Sequence, residues 1–144
     1  MTTAIINTDM NIGPFKIPGN GQNMILNNYA ERNKIIVEEI IPEPFMSNAL
    51  TTTQWVHKKK KLKKVILCSI HQLPQKQKRI EDLINTMDDV EFHFALESIS
   101  GKGSKFLLDC IKEAKIFREA EIIDSTKTTW SDLYRLRQET RKRS

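Results

Sequence analysis

Metal-binding and redox side chains are scarce in this chain. Its 144 residues include two cysteines, Cys68 and Cys110, and three histidines, His57, His71 and His93. The cysteines fall in a predicted inner strand and on the apolar face of a predicted helix, so they read as buried thiols rather than a disulfide or metal pair. No two histidines have the helical or hairpin spacing of metal ligands, and no cysteine joins them in a recognisable pattern. No metal and no cofactor is therefore expected. Neither GxGxxG nor GxxxxGK[ST] occurs. No apolar run approaches the roughly 18–20 residues that span a bilayer, and Met1 to Ile12 lacks the basic start and long apolar stretch of a secretory signal. A cytoplasmic protein without a membrane span is the expectation. Internal repeats are absent as well.

What is present suits one domain with a core of its own. Hydrophobic residues make up 39% and charged residues 28%, values that argue against wholesale disorder. The net charge of +5 comes mainly from His57–Lys64 and from Arg135–Arg143. Such patches bind nucleic acid, anionic membranes or anionic sugars. A lysine run closing a helix is equally a solvated C-terminus, where cations suit the macrodipole.

Strands are expected at Thr3–Thr8, Lys34–Ile41, Val65–Ile70 and Val90–Leu96, with a brief extended piece at Phe15–Ile17. Pro42-Glu43-Pro44 forces a loop after the second of these. Helices are expected from about Gly21 to Asn33 with Asn20 as cap, and from Ser47 or Asn48 to Lys60 on a thin apolar face of Leu50, Trp55 and Val56. A third runs from Pro74 to Met87 with Ile80, Leu83, Ile84 and Met87 at helical spacing. A fourth follows a Gly101–Ser104 loop, striped by Phe106, Cys110, Ile111, Ala114 and Phe117. Glu121–Asp124 reads as a short strand or a loop, and Trp130, Leu133 and Leu136 as a terminal helix. Strands alternating with helices imply a parallel sheet with right-handed crossovers. The loops at 12–21, 42–48, 69–74 and 97–104 then gather at one edge, where ligands bind in such folds.

Several constellations at that edge carry two readings. Gly13, Gly19 and Gly21 precede a helix whose N-terminus could hold an anion, yet Asn20-Gly21 is also an ordinary turn. Ser69 ends the central strand and Glu97 its neighbour. A serine nucleophile needs a base within hydrogen-bond reach, which His71 or Glu97 could supply; otherwise both residues cap loops. His93, between Phe92 and Phe94, points to the other face of its strand and reads as structural. His71, in the loop, is the better functional candidate.

Two family resemblances meet in these residues. The order of a helix opened by Gln, a central strand with a polar Leu-containing loop, then helix and strand is similar to the catalytic domain of serine recombinases, the resolvase and invertase group. That family carries Arg-Val-Ser, its nucleophilic serine four residues before the helix Gln, and Asp-Arg-Leu-x-Arg after the central strand. Here Lys16-Ile17-Pro18 precedes Gln22, and His71-Gln72-Leu73-Pro74-Gln75 follows the strand. Proline stands in the nucleophile's place and glutamines in place of both arginines. Phosphoryl transfer needs the hydroxyl and the cations, so the resemblance implies the architecture without DNA cleavage.

The second resemblance covers Phe15 to Ile99. Lys16-Ile17-Pro18, Gln22-Asn23, Ile25, Tyr29-Ala30, Ser69, Leu73-Pro74 and His93–Glu97 resemble the sporadic carbohydrate cluster proteins, short bacterial proteins encoded among genes for surface polysaccharide and unusual sugars. This implies a part in O-antigen or capsule biosynthesis without a defined reaction. The lysine-rich 58–64 segment and the tail beyond Asp124 have no counterpart in it. The sequence thus points to an α/β, resolvase-like, three-layer single domain at 1–124 with a mostly parallel four- to five-stranded sheet, and a basic helical tail at 125–144. Lys16, Gln22, Asn23, Ser69, His71 and Glu97 are the ligand-binding candidates, Lys16 pairing an anionic group. A nucleotide-sugar or a carbohydrate enzyme is the expected partner, nucleic acid the alternative, and a homodimer a further possibility.

Overall fold

The computed structural model describes residues 2–8, 11–12, 15–43 and 49–127. Its elements run β1 (Thr2–Asn7), β2 (Asn11–Ile12), β3 (Phe15–Lys16), α1 (Gly19–Arg32), β4 (Glu39–Pro42), α2 (Thr51–Lys60), β5 (Leu62–Leu67), a 3-10 turn (Ile70–Gln72), α3 (Gln77–Met87), β6 (Glu91–Phe94), β7 (Ile99–Lys102) and α4 (Ser104–Lys127). The chain divides into two compact units, Met1–Lys112 and Glu113–Ser144.

The first unit holds a five-stranded sheet in the order β4-β1-β5-β6-β7. β1 pairs in parallel with β4 and β5, and β5 with β6; β7 returns antiparallel on β6. Residues Ala4–Ile6 and Val65–Cys68 are completely buried, as strands covered on both faces must be. The chain steps from β1 outward to β4, then back across β1 to β5 and on to β6. With right-handed crossovers, that reversal sets α1 on one face and α2 and α3 on the other. Ile5, Ile66 and Cys68 meet Leu26, Tyr29 and Ala30 of α1 on the first face. On the opposite face Phe94 lies 6.2 Å from the Phe106 ring at the start of α4. A small antiparallel hairpin, β2–β3, stands apart from the main sheet.

Several expectations give way to tertiary effects. The strand expected from Lys34 begins only at Glu39. α1 ends in a Schellman closure, Ile35 N–H to the Ala30 carbonyl and Lys34 N–H to the Glu31 carbonyl, with Lys34 in the left-handed region at φ 57°. Asn20 does not cap α1: Pro18 precedes the first turn, and the Asn20 side chain accepts from Gly21 N–H. The expected caps of α2, Ser47 and Asn48, lie outside the described residues; Leu50 precedes the helix at φ 52°. Its buried face is Thr53 and His57, while Trp55 is 60% exposed. α3 starts at Gln77, so Pro74 is a buried loop residue rather than its first turn.

Gly101 and Lys102, expected as loop, form β7. A Cβ on Gly101 would come within 2.5 Å of the Phe106 ring, so glycine there lets the ring lie on the strand. β7 also carries Gly103-Ser104 to the opposite end of the sheet, away from the expected ligand edge. In the second unit, α4 continues from Glu113 through Asp124 to Lys127, so Glu121–Asp124 is helix, and the boundary expected at 124 falls inside it. The helix expected around Trp130 lies outside the described residues. Among the described residues no helix is long and apolar enough to cross a membrane.

Candidate functional site

The strand order reverses between β1 and β5, the crevice where open parallel sheets place ligands. Two polar networks fill it. The first is built by the end of β1 and the start of α1. Gln22, fully buried, accepts from Thr8 N–H at 2.9 Å and donates to the carbonyls of Thr8 at 3.1 Å and Ile17 at 2.8 Å. Asn7, the last residue of β1, donates to Asn23 Oδ1 at 2.8 Å and to the Gly19 carbonyl at 3.3 Å. The loop after β1 is thereby fastened at both ends to the first turns of α1.

The second network follows β5. Ser69 caps the 3-10 turn in a reciprocal capping box with Gln72. Gln72 Oε1 accepts from Cys68 N–H at 2.8 Å and Ser69 N–H at 3.2 Å. The Ser69 hydroxyl donates to Glu97 Oε2 at 2.9 Å while accepting from His71 N–H at 3.2 Å. Glu97 Oε1 takes Ile70 N–H at 2.8 Å. Gln72 Nε2 is buried and has no hydrogen-bond partner among the described residues.

The two networks adjoin. Cys68 Sγ lies 3.9 Å from the Gln22 carbonyl, and the Phe15 ring meets His71 edge-on at 6.0 Å between centroids. Burial, with the Glu97 charge as a second cause, pushes the Cys68 thiol up to about 12, so it stays protonated. Of the sequence candidates, Gln22 and Asn23 share one network, and Ser69, His71 and Glu97 the other. Lys16 stands off from both, exposed on β3. Of the two candidate bases, the Glu97 carboxylate accepts the hydrogen bond of the Ser69 hydroxyl, and His71 meets the serine through its backbone N–H. Ser69 is 0% exposed, and its oxygen already donates to Glu97 and accepts from the backbone of the turn it caps.

Some residues that organise the fold's polar interior were not legible as such. Gln72 carried a signal, the Ser-x-x-Gln spacing of a capping box. Asn7 and Glu43 carried none. The Glu43 carboxylate reaches across from the loop after β4 to accept from Thr53 N–H and Thr53 Oγ1, both at 2.6 Å, and from Thr52 N–H at 3.3 Å, capping α2 from outside it. A third interior network links α1 to β6: the Tyr29 hydroxyl contacts His93 Nδ1 at 2.8 Å, and His93 Nε2 contacts Glu91 Oε2 at 2.7 Å. A carboxylate can only accept, so Nε2 carries the proton and Nδ1 accepts from Tyr29. The His93 hydrogen bond holds Glu91 below its ordinary value, with the Lys64 charge assisting and partial burial opposing. Burial, then the Glu91 charge, raises Tyr29. As expected, His93 faces away from Phe92 and Phe94. Among the described residues no three His, Cys, Asp or Glu side chains assemble as a metal site.

No family model matches the chain, and no curated protein matches it. Solved structures similar in fold include two recombinase chains. One is the N-terminal catalytic domain of TP901-1 integrase, with 19% identity, a TM-score of 0.57, and coverage of 84% of this chain and 99% of that one. The other is a resolvase family site-specific recombinase from Streptococcus pneumoniae, with 13% identity, a TM-score of 0.50, and coverage of 96% and 97%. The comparisons lend no support to the carbohydrate cluster resemblance, nor to the polysaccharide role and nucleotide-sugar partner that it implied. At these identities the likeness is one of fold, and the chain has the α/β architecture of resolvase catalytic domains.

Proposed function

We propose that this chain is a nucleic-acid-binding protein that uses a resolvase fold without cleaving DNA. The observation that carries the reading is the composition of the β1/β5 edge. Pro18 stands before α1 where the recombinase resemblance would set a hydroxyl, and the Gln72 amide is folded back onto the strand end where an arginine would face phosphate. Ser69, a hydroxyl at that edge, is buried and engaged with Glu97. With no exposed nucleophile and no guanidinium among the described residues there, neither attack on a phosphodiester nor stabilisation of its transition state is provided for.

Binding is supported by charge. Lys58, Lys59, Lys61 and Lys63 are exposed around the end of α2 and the start of β5, and the whole chain carries +5. A cytoplasmic location and a homodimer belong to the same proposal, the latter checked by scattering mass. In a mobility-shift assay the protein should retard DNA or RNA at low salt. Retardation should fall steeply as salt rises, because each phosphate contact releases counterions, and Lys61→Glu with Lys63→Glu should weaken it. No retardation at low salt rejects binding. A covalent protein–DNA adduct, abolished by Ser69→Ala, rejects the non-cleaving half.

A further inference from the structure

α2 packs on α3, and between them lies an open cleft of about 400 Å³ whose lining includes Gln54, Trp55, Lys58, Arg79 and Asp82. Its lining shares no residue with the two networks at the strand edge. The volume falls within the range of small-ligand sites. Trp55 is 60% exposed, an unusual place for the largest apolar side chain unless something stacks on it. Lys59 Nζ sits 5.6 Å from the centroid of its ring, a cation–π contact that steadies the indole and brings another positive charge beside it. Lys58 and Arg79 add two cations from opposite helices. Asp82 offers a hydrogen-bond acceptor. Gln54, whose amide nitrogen is held by the Ala49 carbonyl at 2.8 Å, offers its amide oxygen.

We infer that this cleft takes an unpaired nucleotide of single-stranded nucleic acid, its base stacked on Trp55 and its phosphates against Lys58 and Arg79. The inference rests on the nucleic-acid reading above and specifies where and in what form the strand is held. An aromatic plate with cations beside it is the combination by which single strands are bound without sequence preference. The acceptors Asp82 and Gln54 suit the amino groups on a base edge. Bases inside a duplex keep their faces covered by their neighbours, and a concave site cannot reach them. The ligand is therefore single-stranded rather than double-stranded.

The test uses the full chain with Trp130→Phe, so that indole emission comes from Trp55. It is titrated with a labelled oligodeoxycytidylate, whose bases carry an amino group, with a duplex of equal length and with a nucleotide-sugar, reading both label anisotropy and Trp55 emission. The inference expects the single strand to raise anisotropy and quench Trp55 together, and to bind more tightly than the duplex. Trp55→Ala should weaken binding by about tenfold or more, as loss of one stacked base does. Arg79→Glu should weaken it further and flatten its salt dependence. Circular dichroism verifies the fold of each variant, which exposure of both side chains favours.

Anisotropy that rises without quenching, or survives Trp55→Ala and Arg79→Glu while Lys61→Glu with Lys63→Glu abolishes it, overturns the cleft and leaves the general binding reading standing. Quenching by the nucleotide-sugar but not by the oligonucleotide also overturns it. No anisotropy change at low salt overturns both.

Discussion

Gln22 places a neutral amide at the centre of the β1/β5 crevice, with both of its polar atoms bonded to backbone groups of the preceding loop. Its removal would leave one N–H and two carbonyls without these partners in a partly buried site. Gln22→Ala should therefore lower stability by about 2–4 kcal/mol in urea unfolding, combining lost hydrogen bonds with a cavity. Cys68 behaves differently. Its thiol is protonated far beyond neutral pH because the interior offers the thiolate no solvation and Glu97 repels it. In the native protein it should resist alkylation at pH 8 and react once unfolded, as timed labelling with iodoacetamide will show. The folded-state value lies above the unfolded one, so its contribution to stability is complete below pH 9 and is lost as pH rises toward 12.

Helix ends are where local sequence and structure part company. α2 begins at three threonines after a left-handed Leu50, a poor start by propensity, and is rescued by the Glu43 carboxylate at its first turn. Glu43→Ala should cost about 1–2 kcal/mol and Glu43→Gln less, both read from thermal or urea midpoints. α1 shows the opposite case, a sound closure with an ill-suited residue. Lys34 adopts the left-handed conformation that glycine takes without strain, and Lys34→Gly should raise stability by about 1 kcal/mol in the same assay. The basic segment that closes α2 and opens β5 also has a hidden member. His57 is buried, with Leu62 N–H donating to its Nδ1 at 2.9 Å and its Nε2 meeting Asp89 at 3.1 Å. It fastens α2 to β5 and to the turn after α3, so the basic segment is partly structural.

At the scale of the sheet, the Tyr29–His93–Glu91 network joins the helix on one face to a central strand, and Lys64 of β5 completes it at 3.6 Å from Glu91. Glu91 titrates below its unfolded value of 4.5. Its stabilising contribution is therefore complete above pH 4.5 and is lost as pH falls through the lower folded value. Glu91→Gln should flatten the acid limb of the stability–pH curve and leave the curve above neutral pH with an unchanged slope, measured by urea unfolding at fixed pH steps. The partial exposure of Glu91 keeps the effect small.

The sequence by itself determined the alternation of strands and helices and hence a mostly parallel sheet. Val65–Cys68 and Ile80–Met87 state their burial in their own apolar spacing, because one or two turns of chain suffice to show which face is dry. It also determined that Pro18, Gln72 and Gln75 can supply neither a nucleophile nor a guanidinium in any fold. Only the tertiary structure decided that Gly101 lies in a strand under Phe106, that Glu97 accepts the hydrogen bond of the Ser69 hydroxyl, and that Glu43 caps a helix it does not belong to. It likewise set Trp55 outside the core and His57 within it. The Ser69–Glu97, Thr53–Glu43 and His57–Asp89 contacts rest on partners brought close by the fold, and a contact between residues far apart in the chain has no periodicity for the sequence to display.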